Sequence, residues 1–175
     1  MHVLAVYSSR FGHTTRILSA TAKVLEDAGH TVEMRPASSI NKVGEHVDGV
    51  ILAGSVHYGF YSPKLKKFAR DNAAALNALP TAFMGVSLSN EREGKKSPQT
   101  NPYSRKFLEA TPWQPTLVRL FGGEINFDLY KGLDFFVMDK ILERTGKPHG
   151  RGVKFEYTDW DDVAAFAAQY AALLS

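Results

Sequence analysis

HVLAVYSSRFGHTTRILSATAKVLEDA, residues 2–28, holds a strand, a loop and a helix in direct succession. Residues 2–7 are apolar and rich in strand formers. Ile17, Leu18, Thr21, Val24, Leu25 and Ala28 then recur at helical spacing, which marks one apolar helix face. Gly29 ends that helix and residues 31–34 begin a second strand. The same alternation continues down the chain. Residues 48–54, DGVILAG, form a near-continuous apolar run, as expected of a strand covered on both faces. Pro63 opens a helix with Leu65, Phe68, Ala69 and Leu76 on its inner side. Residues 81–88 give a fourth buried strand. Asn101-Pro102 reads as an N-cap followed by proline at the first helical position. A fifth strand spans residues 116–122. The last helix starts at Asp159 and carries Val163, Phe166, Ala167, Tyr170, Leu173 and Leu174 on one side.

Strands alternating with helices predict a parallel sheet joined by right-handed crossovers, with helices on both faces. Five strands are too few to close a barrel. The expectation is an α/β, doubly wound, five-stranded parallel sheet in the order 2-1-3-4-5, with a ligand crevice where the order reverses. There is no repeat, low-complexity tract or linker, so residues 1–175 are expected to form one domain. Residues 123–158 are surplus to this plan. They contain a helix-like stretch, 130–145, and a β-like run, 153–157. The pattern predicts a fifth strand interrupted by an insertion.

The 175 residues include no cysteine. That excludes disulfides, thiolate metal sites, iron–sulfur clusters and a cysteine nucleophile. The N-terminus lacks the features of a signal peptide, and no apolar stretch approaches the roughly 20 residues that span a bilayer. A soluble or peripheral protein is expected. The net charge of +3 and pI near 9.1 are mildly basic and compatible with anionic ligands. Nucleic-acid binding is disfavoured, because the basic residues form no aromatic-interleaved stripe and no helix-turn-helix or zinc pattern occurs.

In an open α/β sheet, function collects in the loops that follow the strands. The first loop contains Ser9, Arg10, Phe11, Gly12, His13 and Thr14. Hydroxyls, a glycine and a helix N-terminus favour a phosphate over the plainer reading, in which Ser and Thr merely cap the helix. No G-x-x-x-x-G-K-[ST] or G-x-G-x-x-G follows the first strand, which argues against a P-loop or Rossmann nucleotide site. A response-regulator receiver would need carboxylates where Tyr7-Ser8 and Ala53-Gly54 stand. A phosphate with nothing to attack it suggests a bound cofactor. The second loop is Ser55, Val56, His57, Tyr58 and Gly59. Its tyrosine offers a stacking face worth on the order of 1 kcal/mol beyond burial, while His57 reads equally well as a solvated histidine. The third loop, Ser87, Leu88, Ser89 and Asn90, is placed to cover the other edge of a planar ligand.

The motifs YSSRFGHT (7–14), GSVHYGFYSPKLKKF (54–68), SPQTNPYSRKFL (97–108) and EYTDW (156–160) occur in order along almost the whole chain. With these motifs the sequence resembles flavodoxins, and more closely the flavodoxin-like, menaquinone-dependent protoporphyrinogen IX dehydrogenases of haem biosynthesis. The resemblance implies FMN as cofactor, its phosphate in loop 9–14 and its isoalloxazine between the other two loops. It implies oxidation of protoporphyrinogen IX to protoporphyrin IX, with electrons passing to a membrane quinone, menaquinone or ubiquinone. It further implies a cytoplasmic protein, peripheral on the inner face of the membrane. Phe11 departs from the threonine typical of a flavodoxin phosphate loop. No side chain stands out as a catalytic acid or base. A flavodoxin-type electron carrier acting on a protein partner remains the alternative, and a fold that has lost its cofactor is a third reading.

Several features stay open at this point. The stretch Leu133, Phe135, Phe136, Val137, Met138, Ile141 and Leu142 is more apolar than one buried face requires. It fits a position on the bilayer surface near the quinone pool or a wall of the flavin crevice for an apolar substrate, or else packing on the sheet or against a second copy. Lys131, Lys140 and Arg144 balance Asp134, Asp139 and Glu143 there, which argues against attraction to anionic lipid. Arg92, Lys95, Lys96, Arg105 and Lys106 outnumber Glu91 and Glu93 near the expected active edge, close to Lys64, Lys66 and Lys67, and suit carboxylates or lipid headgroups. Thr158-Asp159-Trp160 reads as a helix start. Trp113 has no evident place.

Overall fold

The computed structural model describes residues 1–91 and 97–175. Arg92, Glu93, Lys95 and Lys96, which carry most of the expected basic surplus, lie outside the described residues, as does the side chain of Glu91. Five strands, β1 (His2–Ser8), β2 (Thr31–Pro36), β3 (Gly49–Ser55), β4 (Thr81–Ser87) and β5 (Leu117–Gly122), form one sheet in the order β2-β1-β3-β4-β5. Every pairing is parallel, with Val3 opposite Gly49, Val50 opposite Thr81 and Ala82 opposite Leu117.

Side chains alternate across each strand, and the two sets pack into separate layers. On one face, Leu4, Val6, Val50, Leu52 and Phe83 meet Leu65 and Phe68 of α2 (Pro63–Asp71) and Phe107 of α4 (Pro102–Glu109). On the other, Val3, Ala5, Ile51, Ala53 and Met84 meet α1 (His13–Asp27) and α6 (Trp160–Leu173) through Ile17, Leu18, Leu25, Phe166 and Tyr170. Trp113, unplaced from sequence, is buried in the first layer, where its indole N–H donates to Thr81 Oγ1 at 3.0 Å.

The helix predicted to run from Pro63 past Leu76 is broken. It stops at Asn72, and α3 (Ala73–Asn77) follows. The Asn72 amide donates to the Asn41 and Phe68 carbonyls and accepts from the Val43 N–H, so it ties the loop before β3 to the break. A side chain that hydrogen-bonds backbone in this way competes with helix continuation.

The insertion lies where it was expected. β6 (Glu124–Asn126) leads through a 3-10 turn, Phe127–Leu129, into α5 (Leu133–Arg144) and then β7 (Lys154–Glu156). Its second β-run does not resume the fifth strand. β7 pairs antiparallel with β6 in a sheet of its own. Ile125, Phe127, Tyr130 and Leu142 give the insertion a small core, to which Phe11 of the first loop and Leu88 of the third contribute. The chain returns past Gly122, where a Cβ would collide with the Tyr157 carbonyl oxygen. Among the described residues no helix is long and apolar enough to cross a membrane.

Candidate functional site

The loops after β1, β3 and β4 converge on the carboxyl edge of the sheet, at the reversal of strand order. The first turns into α1 at Gly12, whose φ of +86° suits a residue without a Cβ. The Gly12 N–H donates to Ser9 Oγ at 3.2 Å, but no side chain caps the α1 N-terminus. α2, α3 and α5 likewise start without a side-chain cap, whereas α4 and α6 have one. Asn101 Oδ1 accepts from the Tyr103 and Ser104 amides at the start of α4. Asp159 Oδ1 does the same for Asp161 and Asp162 at the start of α6, as the helix-start reading expected. The bare first turn of α1 leaves donors and the positive end of a dipole available to an anion.

Two adjoining clefts open beside this turn. The first is a narrow cleft that opens to solvent. It is lined by Ser9, Arg10, Phe11, His13 and Thr14 from the first loop, by Ser55, Val56 and His57 from the second, and by Ser87 and Leu88 from the third. The second, wider than the first, shares Val56, His57, Ser87 and Leu88 and adds Tyr58, Gly59 and Ser89. Of the loop residues named from sequence, Gly12 and Asn90 line neither cleft; Gly12 shapes the turn, and the Asn90 amide donates to the Gly85 and Phe121 carbonyls.

The insertion supplies part of both clefts, as the crevice-wall reading of its apolar stretch allowed, but sequence reasoning missed Glu124, Tyr130 and Asp134. Glu124, Tyr130 and Met138 face the first cleft. Met138, Ile141 and Leu142 wall the second, with Lys147 at its margin. The largest omission is Asp134. Its carboxylate accepts from Arg10 Nη2 at 2.7 Å and from the Tyr58 hydroxyl at 2.5 Å, and stands 3.4 Å from His57 Nε2. The Tyr58 hydrogen bond and the Arg10 charge hold this carboxyl below its ordinary pKa. Only its place in the first turn of a helix was visible in the sequence.

His13 is buried at the seam between α1 and the insertion. Its Nε2 lies 2.7 Å from Thr158 Oγ1, which itself donates to the Gly122 carbonyl. The hydroxyl therefore accepts from the ring, and Nε2 carries the proton. Nδ1 faces Glu124 at 3.3 Å. Burial pulls the His13 pKa below its ordinary value, and the carboxylates of Glu124 and Glu156 pull the other way. Arg16 spans both acids, at 3.5 and 2.9 Å, and stacks over Trp160. His57 is likewise lowered by burial, against the opposing pull of Asp134. His13 Nδ1 and His57 Nε2 are buried without an aligned hydrogen-bond partner. The cleft thus presents a bare helix start and the hydroxyls of Ser9, Thr14 and Ser55 beside an apolar wall, which fits a phosphorylated, planar, amphipathic ligand such as FMN.

The expected cluster of cations at the active edge is dispersed where the structure describes it. Lys106 lies over the Phe60 ring, beside the second loop. Arg105 borders a groove with Trp113 and Pro115. Lys64 and Lys67 line a third depression with Ser38 and Ile40.

Comparison with known proteins agrees with this geometry. The Flavodoxin domain family matches residues 4–151. The protoporphyrinogen IX dehydrogenase [quinone] of Escherichia coli is 32% identical over 174 residues, covering 99% of this chain and 96% of that protein. The protein of the same name from Leishmania major is also 32% identical, over 97% of this chain and 74% of its own length. Among solved structures, a mutant flavodoxin from Pseudomonas aeruginosa aligns over 99% of both chains with a TM-score of 0.58 at 16% identity. A Streptococcus pneumoniae flavodoxin covers 99% of this chain and 97% of its own, with a TM-score of 0.55 at 13% identity. Those two likenesses concern the fold. The family match and the full-length relatives go further: the chain belongs to the flavodoxin domain family and is a homologue of protoporphyrinogen IX dehydrogenase [quinone].

Proposed function

We propose that this protein is an FMN-dependent dehydrogenase that oxidises protoporphyrinogen IX to protoporphyrin IX and passes the electrons to a quinone. The observation that carries the cofactor is the uncapped start of α1, opening on clefts lined by all three strand-end loops. The α1 amides with the Ser9 and Thr14 hydroxyls would hold the phosphate. Ser55 and Ser87 offer hydroxyls along the path between the loops. Tyr58 and Leu88 would flank the ring. FMN, when bound, supplies the redox chemistry. The protein's own part is to bind, orient and exclude water, and Met138, Ile141 and Leu142 do the last by closing the apolar side. The names of the full-length relatives support the substrate and the acceptor.

Peripheral contact with the inner face of the cell membrane through residues 130–145 belongs to the same proposal. Leu133 and Phe136 are 72% and 67% exposed, and Ile141 and Leu129 are also exposed. The balanced charge of the segment does not describe its surface. Asp134 is engaged by Arg10, Asp139 by His149 and Glu143 by Lys140. Asp134 and Asp139 are engaged from outside the segment while Glu143 and Lys140 satisfy each other, so Lys131, Arg144 and the apolar side chains are left to meet a bilayer.

The visible spectrum and an FMN titration test the cofactor. Anaerobic turnover of protoporphyrinogen with a menaquinone analogue, followed by porphyrin fluorescence, tests the reaction. Flavin reduction by a reductase without porphyrin formation would instead identify an electron carrier.

A further inference from the structure

The second loop is a two-residue hairpin. His57 N–H donates to the Phe60 carbonyl at 2.8 Å, and Phe60 N–H donates back at 3.1 Å. The two central residues are both left-handed, Tyr58 at φ +49° and Gly59 at φ +85°. This turn favours Asn, Asp or Gly at its first central position. Among the described residues Tyr58 is the one non-glycine with positive φ. A bulky side chain in that region is strained, and such strain persists only where surrounding structure over-determines it.

The far end of the Tyr58 side chain shows what holds it. Its hydroxyl donates to one oxygen of Asp134 while Arg10 takes the other. One carboxylate therefore joins the first loop, the second loop and the insertion. Asp134 is 14% exposed in its side chain, although Leu133 beside it is mostly in solvent. It does not cap its own helix, which starts at Gly132 without a side-chain cap. Its hydrogen bonds go across the cleft instead. The other end of α5 is fixed separately, by Leu142 in the insertion's core.

We propose that Asp134 is a positioning residue that clamps α5 across the cleft and holds Tyr58 in its strained turn, and so sets how long the cofactor stays bound. The clamp is a contact within the protein; its consequence for residence time rests on the FMN reading. Asp134→Ala removes both hydrogen bonds. Asp134→Asn keeps an acceptor for Tyr58 and loses the charge opposite Arg10. Glu143→Gln, which breaks an outward ion pair on the same helix, is the control.

Amide exchange on cofactor-free protein reads the clamp directly. Exchange in residues 57–60 and 132–138 should quicken roughly tenfold in Asp134→Ala, as expected for loss of a charge-assisted contact. It should quicken less in Asp134→Asn and stay unchanged in Glu143→Gln. The rate of FMN release should rise in the same order. Unchanged exchange in both segments would overturn the proposal. So would faster exchange spread equally through β3 and β4, which would mean general destabilisation. If Asp134→Ala does not fold, Asp134→Asn decides on the same criteria. If the wild-type protein takes up no FMN, the cofactor reading fails, while exchange still decides the clamp.

Discussion

The parallel sheet and the insertion are built on different principles, although both end at the same cleft. β3 and β4 are buried along nearly their whole length and covered on both faces by helices. The insertion has four buried core residues and borrows Phe11 and Leu88 from the loops it covers. Its helix turns apolar side chains both inward and outward. A sheet of the first kind is a fixed platform. An element of the second kind is held by a few contacts and opens at low cost. The cleft lies between them, with the bare start of α1 on the platform and its apolar wall on the insertion.

The largest expected effect tests the platform. Phe83 is fully buried and stacks on Phe107 against Tyr61 and Trp113. Phe83→Ala should cost about 3–5 kcal/mol, and at about 2–4 °C per kcal/mol for a chain of this size the melting point should drop on the order of 10 °C. Leu142→Ala removes a comparable buried side chain from the insertion. There the main sheet should melt close to the wild-type temperature, while FMN retention falls. If the two variants melted alike, the insertion would be as integral to the fold as the sheet.

This contrast also governs what could be read from sequence. Period-2 and period-3.6 apolar patterns arise from burial against one continuous core, so Val3 to Val6, residues 48–54 and the α6 stripe declared themselves. The strand order followed from connection rules. The pairing of β7 with β6 was hidden, because a three-residue strand carries too little pattern to name its partner. Asn72 was hidden for a different reason: its hydrogen bonds run to Asn41 and Val43, and nothing local advertises them. Most of the candidate site residues were legible because they follow directly after strands. Asp134 was not, since its partners are Arg10 and Tyr58, and a contact so distant in sequence leaves no trace in spacing.

Removing residues 127–152 and joining β6 to β7 through Asn-Gly would sharpen the comparison next. Phe127 N–H already donates to the Val153 carbonyl at 3.0 Å, so the two ends are close. The five-stranded sheet should survive, as judged by far-UV circular dichroism. FMN should still bind by its phosphate but with affinity reduced at least tenfold, since the apolar wall is gone. Sedimentation with anionic liposomes should be lost. Unchanged liposome binding would remove the insertion from the membrane proposal. A milder probe is Gly12→Ala, which places a Cβ at φ +86°. It should cost about 1 kcal/mol of stability and weaken FMN and free phosphate together, without touching the insertion.

The smallest effect concerns the seam itself. Burial lowers the pKa of His13, and of His57, below the ordinary histidine value. For each, the unfolded chain binds its proton more readily than the folded one. Their contribution to stability is therefore complete above pH of about 6.5 and declines as the pH falls from there toward the folded-state value. Glu124 and Glu156 oppose the shift at His13, so the slope should be shallow. Melting temperatures between pH 7.5 and 5.5 should fall gently in the wild type, and His13→Gln should remove part of that slope. A flat wild-type profile would contradict the burial argument. His13 touches Thr158, Glu124 and Glu156, where the insertion leaves and rejoins the sheet. Acid should accordingly raise amide exchange in β6 and β7 before it does so in β3 and β4, separating the two regions by their response to a proton.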